Sequence, residues 1–259
     1  MYLCRLNYKW GSLRYFIEIA YDGTPYHGWQ RQPNAISVQE QLEEALSTLL
    51  RTKTSLTGAG RTDAGVHARQ LFAHYDSGGT VDKEHLKFRL NRYLPEAIAV
   101  LEIYDVTEEA HARFDATARS YDYIVGTAKN PFHKDRAFLV EQPLDVKAMQ
   151  EGAKLLLGRK DFKCFSRSKT DVKTYICEIR KAVWEERDST LIFSITADRF
   201  LRNMVRAIVG TLLEIGHGKM TINELQGVIL SQDRNQAGPS VPAHGLYLTQ
   251  VTYPQSIFR

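Results

Sequence analysis

Long hydrophobic runs, cysteine and a strong charge of either sign are what this sequence has little of, and each shortage excludes something. No apolar run approaches the roughly 20 residues that cross a bilayer, so no membrane partner is expected. The first thirteen residues carry Tyr2, Arg5 and Lys9 and lack the apolar stretch and small-residue cleavage site of a signal peptide. The expected location is therefore the cytoplasm. Cys4, Cys164 and Cys177 are three widely spaced thiols. They argue against a disulfide framework or a zinc site and read as small buried groups. The net charge is only +4, with a pI near 8.8, a balance shared by many enzymes of small molecules.

What is present suits a globular protein. A chain of 259 residues makes one large domain or two modest ones, and 43% hydrophobic residues suffice for a real core. Positive charge is concentrated rather than large. From Lys154 to Lys181 the chain also carries Arg159, Lys160, Lys163, Arg167, Lys169, Lys173 and Arg180, against Asp161, Asp171 and Glu178. Such a surplus either neutralises phosphates, making binding salt-dependent, or is a solvated lysine-rich surface.

Apolar spacing alternates between strand and helix periods. Tyr15, Ile17, Ile19 and Tyr21 mark one face of a strand that stops at Asp22-Gly23. Ser37 to Glu40 reads as a capping box, opening a helix whose stripe is Val38, Leu42, Ala45, Leu46 and Leu49. Short strands at 55–59 and 71–75 flank a glycine-rich turn, followed by a helix at 83–92 and a strand at 98–106. The second half repeats the order. A strand at 121–126 precedes a helix at 146–157 stopped by Gly158, then a hairpin of 176–185 with 190–197. A helix from Leu201 to Ile215 and a strand at 246–251 complete it. The expected fold is α+β, with two related α/β halves, antiparallel sheets and a central cleft. The expected division is an extension at 1–13, an N-terminal domain at 14–107 and a C-terminal domain at 108–259.

The segment Gly58-Ala59-Gly60-Arg61-Thr62-Asp63-Ala64-Gly65-Val66-His67-Ala68 surrounds one carboxylate with small residues. Small neighbours leave its oxygens open to a bulky ligand. Asp63 is thus either a reactive acid or a turn aspartate bonded to its own backbone. A carboxylate buried under a substrate costs several kcal/mol unless a cation pairs with it. Arg61 and a more distant arginine are both candidates. His67 is a candidate base or metal ligand, although a lone histidine is more often a packing residue. No second histidine or carboxylate stands at ligand spacing beside it, so no metal is expected.

Gly60-Arg61-Thr62-Asp63-Ala64-Gly65-Val66-His67 resembles the signature of tRNA pseudouridine synthases of the TruA family. Further blocks resemble that family in the same order. They are Tyr21-Asp22-Gly23-Thr24 with Gly28-Trp29-Gln30-Arg31-Gln32, and His111-Ala112-Arg113-Phe114 with Ala118-Arg119-Ser120-Tyr121. Phe200 through Gly210, with Met204-Val205-Arg206, and Pro242-Ala243-His244-Gly245-Leu246-Tyr247-Leu248 follow. The likeness runs from about Arg14 to the C-terminus.

The resemblance implies the pseudouridine synthase fold and an isomerase acting at uridines 38–40 in the anticodon arm of tRNA. Such enzymes break the N-glycosidic bond, turn the base and rejoin it through carbon, so no cofactor is implied. Asp63 matches the nucleophile and Arg206 its partner. Tyr121 matches the ring that packs on the target base, where stacking tolerates in-plane rotation, and Leu246 the apolar residue on the other face. Arg61 matches an arginine that helps take the uridine out of its stack, a step costing a few kcal/mol. His111, Ala112, Arg113 and Phe114 correspond to an RNA-contacting segment with Arg113 on phosphate, while Lys129, Arg167 and Lys169 help position tRNA. A homodimer is implied, with one tRNA bridging two subunits. Without the resemblance, Tyr121 and Leu246 read as core residues, and Arg206, at the edge of an apolar helix stripe, as an arginine that either snorkels to water or leans over a cleft to hold Asp63. Residues 1–13 and 166–175 match no part of the family pattern. Two other classes stay open: a non-catalytic tRNA-binding protein of the same fold, and a metal-dependent phosphohydrolase using Asp63 and His67, which chelators would inhibit.

Overall fold

The alternation of Tyr15, Ile17, Ile19 and Tyr21 folds as strand β1 (Leu13–Tyr21), with all four side chains buried. This is a computed structural model describing residues 13–167 and 172–259, so expectations placed on residues 1–12 and on Lys169 lie outside the described residues. Phe16 is buried on the opposite face of β1, closed in by the rings of Tyr253 and Phe258 at 5.2 and 6.2 Å. Helix α1 (Val38–Leu50) starts where the extended Ser37 accepts the Glu40 amide. Its stripe of Val38, Leu42, Ala45 and Leu46 is fully buried. The chain continues through β2 (Thr57–Gly58), β3 (His67–Ser77), α2 (Lys83–Tyr93), β4 (Ile98–Asp105), β5 (Ala118–Gly126) and β6 (Phe138–Leu139). Then come α3 (Val146–Lys154), β7 (Gly158–Asp161), β8 (Ile176–Arg187), β9 (Thr190–Ala197), α4 (Met204–Gly216), α5 (Ile222–Ser231) and β10 (Leu246–Thr252).

The strands of the described residues join one sheet in the order β4-β1-β3-β10-β5-β9-β8-β7, with β2 beside β3 and β6 beside β5. Each half is largely antiparallel, as expected. The halves meet through β10, which runs parallel to β3 (Tyr247 opposite His67) and antiparallel to β5 (Leu246 opposite Tyr123). The architecture is α+β as expected, its two antiparallel halves fused into a single mixed sheet. That fusion brings the start of β3, just after the Asp63 loop, next to the strand pair carrying Tyr121 and Leu246.

Apolar burial gathers in two clusters. One holds Ile17, Ile19, Leu42, Leu46 and Leu90 and recruits Leu248, Val251 and Ile257 from the far end of the chain. The other contains Met149, Phe193, Ile195, Ile208, Leu212 and Leu225, together with Val66 and Leu246. Each fully buried Leu, Ile or Phe contributes ~1.5–3 kcal/mol relative to exposure. Val66 therefore anchors the Asp63 loop in the second core, while the strand that follows belongs mainly to the first.

Several boundaries differ from the periodicity. Helix α4 begins at Met204 rather than Leu201 because Asn203 sits at φ 66°, a left-handed conformation that breaks helical propagation. Helix α3 ends at Lys154, with a turn carrying Leu155 and Leu156 into Gly158 at φ 91°. Helix α5, opened by a complete capping box of Thr221 and Glu224, was not expected; its buried side is only Leu225 and Val228, a stripe too thin to stand out. Among the described residues, no helix is long and apolar enough to cross a membrane.

Candidate active site

Backbone contacts fix the Asp63 loop. The Gly65 amide donates to the Tyr26 carbonyl (3.4 Å), the Trp29 amide to the Thr62 carbonyl (3.3 Å), and the Val66 amide closes a turn onto the Asp63 carbonyl (3.1 Å). The Tyr21 and Thr62 hydroxyls share a hydrogen bond of 2.8 Å. Gly28 lies at φ 89°, and a Cβ there would stand 2.3 Å from the Thr62 carbonyl oxygen. Only glycine lets the chain press this closely against the loop.

The Asp63 carboxylate points to arginines rather than to its own turn. Arg206, in the first turn of α4, reaches one oxygen at 3.5 Å. Its Nε donates to the Val241 carbonyl (2.7 Å), and the Val241 amide donates back to the Arg206 carbonyl (3.2 Å). Gly210 permits that pairing, since a Cβ would sit 1.7 Å from the Pro239 carbonyl oxygen and force the 238–241 segment off the helix. Arg202, which the sequence reading did not single out, stands 3.9 Å from the other Asp63 oxygen and is 57% exposed. It precedes the left-handed Asn203, so it lies ahead of the helix rather than along its flank. At 34% side-chain exposure Asp63 is gripped yet still reachable.

Tyr121 completes the group. Burial pushes its phenol up to about 12; Arg119 opposes that shift and the Asp63 charge adds to it. The ring is therefore neutral at pH 7. Phe200, which opens one of the family-like blocks, meets it edge-on at 5.1 Å and 87°. A carboxylate held by two guanidinium groups beside a neutral aromatic ring can attack an electrophilic carbon while a flat base is retained against that ring.

The sequence profile described as tRNA pseudouridine synthase matches residues 18–115 and 153–254. The chain belongs to the tRNA pseudouridine synthase family. It is 54% identical over 248 residues to the tRNA pseudouridine synthase A of Bacteroides thetaiotaomicron, covering 95% of this chain and 92% of that protein. The Bacteroides fragilis protein of the same name is 52% identical over 247 residues, with 95% and 98% covered. That of Syntrophomonas wolfei is 43% identical over 239 residues, with 92% and 96% covered.

Other residues singled out by the likeness to these synthases are held in different ways. Leu246 is 6% exposed, in the second core against which Tyr121 packs. Arg61 is exposed, two positions before the acid. In the 111–114 turn, Arg113 and Phe114 face outward, Phe114 at 73% exposure, with the guanidinium 5.6 Å from its ring. Ala112 turns inward. Fully buried, it donates its amide to His74 and its carbonyl accepts from the Tyr253 hydroxyl, which leaves it nothing to offer RNA. His111 is partly buried, and its Nδ1 accepts the amides of Arg113 and Phe114. Lys129 is exposed beyond the end of β5, where Thr127 binds the Ser189 carbonyl. The Arg167 amide donates to the Arg202 carbonyl at 3.0 Å.

His67 is absorbed by the join between halves. It is 2% exposed, stacks on Tyr247 at 4.5 Å, accepts the Gly23 amide at Nδ1 and places Nε2 3.1 Å from the His244 carbonyl oxygen. Burial pulls its pKa down, while Asp22, 3.0 Å from Nδ1, acts the other way; the ring is packed into the join rather than open to substrate. Among the described residues, no group of three or more His, Cys, Asp or Glu is placed to hold a metal.

Proposed function

We propose that this chain isomerises uridine to pseudouridine at positions 38–40 in the anticodon arm of tRNA, with Asp63 as the nucleophile. The observation that carries this reading is the Asp63–Arg206 ion pair, formed across 143 positions of sequence and flanked by Tyr121, in a member of this synthase family. In this reading Asp63 acts on the extruded uridine, the glycosidic bond breaks, and the freed uracil turns in its own plane against Tyr121 before rejoining through carbon. Leu246 closes the other face. Arg206 keeps the acid ionised and aimed. No atom enters or leaves, so the reaction calls for no cofactor. Arg61 assists extrusion, Arg113 and Phe114 meet the RNA, and Lys129, Arg167 and Lys169 supply phosphate contacts.

Asp63→Asn tests the assignment because it keeps the shape and removes the charge. Turnover should fall at least about a thousand-fold with tRNA affinity largely retained, measured by carbodiimide mapping of pseudouridine in tRNA. Near-normal conversion would refute the nucleophile role. If tRNA from cells lacking the protein kept its anticodon-arm signals, the chain would instead be a tRNA-binding protein without this reaction. The remaining parts of the reading are a cytoplasmic homodimer, two halves divided near 107/108, and one tRNA shared between subunits; sedimentation as a monomer would remove the shared-tRNA arrangement.

A further inference from the structure

Four backbone carbonyls, and no carboxylate among the described residues, receive the guanidinium of Arg119. Nη1 donates to Ala116 (3.0 Å) and Asp198 (3.1 Å), and Nη2 to Ala59 (3.0 Å) and Arg113 (2.7 Å). The guanidinium is half-buried; desolvation acts against its charge and nearby Asp198 acts for it. The identity of the four acceptors gives the charge a purpose. Ala59 lies at the start of the glycine-rich run leading to Asp63. Arg113 and Ala116 belong to the exposed turn and its exit. Asp198 follows β9 and leads into Phe200 and Arg202. Arg119 also stands two positions before Tyr121 on β5, so the two side chains leave the same face of the strand. A planar fork with five donors is the one side chain able to reach acceptors on several segments at once.

We propose that Arg119 is a positioning residue for the isomerisation, setting the spacing of the Asp63 loop, the RNA-facing turn and the approach to α4 while placing a positive charge beside Tyr121. This role rests on the function proposed above. It acts through the backbone of those three segments and through the field at Tyr121, not by touching the reacting atoms.

Arg119→Lys separates this role from simple bracing, because the ammonium keeps the charge but cannot span four carbonyls. The expected result is a kcat lowered about 30-fold or more, with KM for tRNA changed less than about threefold. Arg119→Gln, which also loses the charge, should lose at least as much. Asn91→Ala is the control: its side chain bonds Val100 in both directions at 2.8 and 2.7 Å, so its loss should lower Tm and leave kcat unchanged. A folded Arg119→Lys with kcat within twofold of wild type would overturn the role. So would a defect carried wholly by KM, which would mark an RNA contact, or failure of both Arg119 variants to fold, which would mark a brace of the fold itself. Wild-type turnover in the same assay keeps the two proposals apart. Its absence overturns the function and this role together, whereas normal turnover with an active Arg119→Lys overturns this role alone.

Discussion

Asp63 and Arg113 are both charged and both sit on loops, yet the molecule holds them in opposite ways. The Asp63 loop is fixed on every side: backbone bonds from the 26–29 segment, Val66 buried in the second core, and Arg206 locked to Val241 across from the acid. Around Arg113 the backbone is anchored through Ala112 and His111, but the side chains of Arg113 and Phe114 stand out in solvent. Bond making needs reacting atoms held about 3–3.5 Å apart and aligned. Phosphate recognition needs only a cation within range of a large negative field, which falls off slowly and tolerates displacement. On the proposed function, rigidity belongs with the acid and freedom with the rim.

The sharpest way to break that contrast is to loosen the acid alone. Arg206→Met removes the paired charge while keeping the stem that packs beside Val241. The expected outcome is a kcat reduced about a hundred-fold, with KM for tRNA nearly unchanged. Single-turnover conversion on an anticodon-arm substrate would measure it. If Arg202, already 3.9 Å away, took over the pairing, the loss would shrink to a few-fold; the double variant Arg202→Ala, Arg206→Met would then restore the full defect. A dominant effect on KM would place Arg206 on the rim rather than with the acid.

At the rim the pattern should invert. Arg113→Ala should raise KM several-fold, worth about 1 kcal/mol, and leave kcat within twofold. Affinity measured against salt concentration should also lose about one unit of log–log slope, the signature of one phosphate contact removed. A change in kcat of more than tenfold would mean that the turn helps to set the reacting geometry, and the division between fixed acid and free rim would fail.

The architecture was largely legible because alternation and helical stripes survive in single segments: β1, α1 and the β8–β9 hairpin all fall where the spacing put them. The Asp63 segment stood out for a different reason, since small residues crowd one carboxylate; composition alone left it between a turn aspartate and a reactive acid, and the resemblance favoured the second. Its surroundings were not legible. Arg206 reads in isolation as the edge of an apolar helix stripe, and its tie to Val241, in the segment that precedes β10, is not visible in the sequence. Arg202 was hidden by a helix boundary, because periodicity extends the helix through the left-handed Asn203. Arg119 and Phe200 lie in blocks that resemble the family, but their roles were not legible there, as their partners are backbone carbonyls and a ring from distant segments. The basic run from Lys154 to Lys181 is partly spent on local pairs, Lys154 with Glu151 and Arg180 with Glu178, which a count of charges cannot reveal.

The smallest expected effect concerns how the rim is attached to the sheet. His74 is 7% exposed, and its Nδ1 accepts the Ala112 amide at 3.1 Å, a bond that requires the neutral ring. Burial, reinforced by the charges of Arg14 and His111, pulls its pKa down to about 4. An unfolded histidine takes up its proton near 6.5. Between these values the unfolded chain binds more protons than the folded one, so stability must rise with pH across that interval. As pH falls from about 6.5 to about 4, His74 should therefore withdraw roughly 2 kcal/mol, the full shift discounted for partial solvation, and withdraw no more below that. Urea unfolding of wild type and His74→Gln across this range would read the difference, with the variant showing the shallower slope because its amide oxygen can still accept from Ala112 without titrating. An unchanged slope in His74→Gln would mean that the turn does not depend on a neutral imidazole. The looseness assigned to its side chains would then extend to its backbone, and the contrast with the Asp63 loop would be one of whole segments rather than of side chains alone.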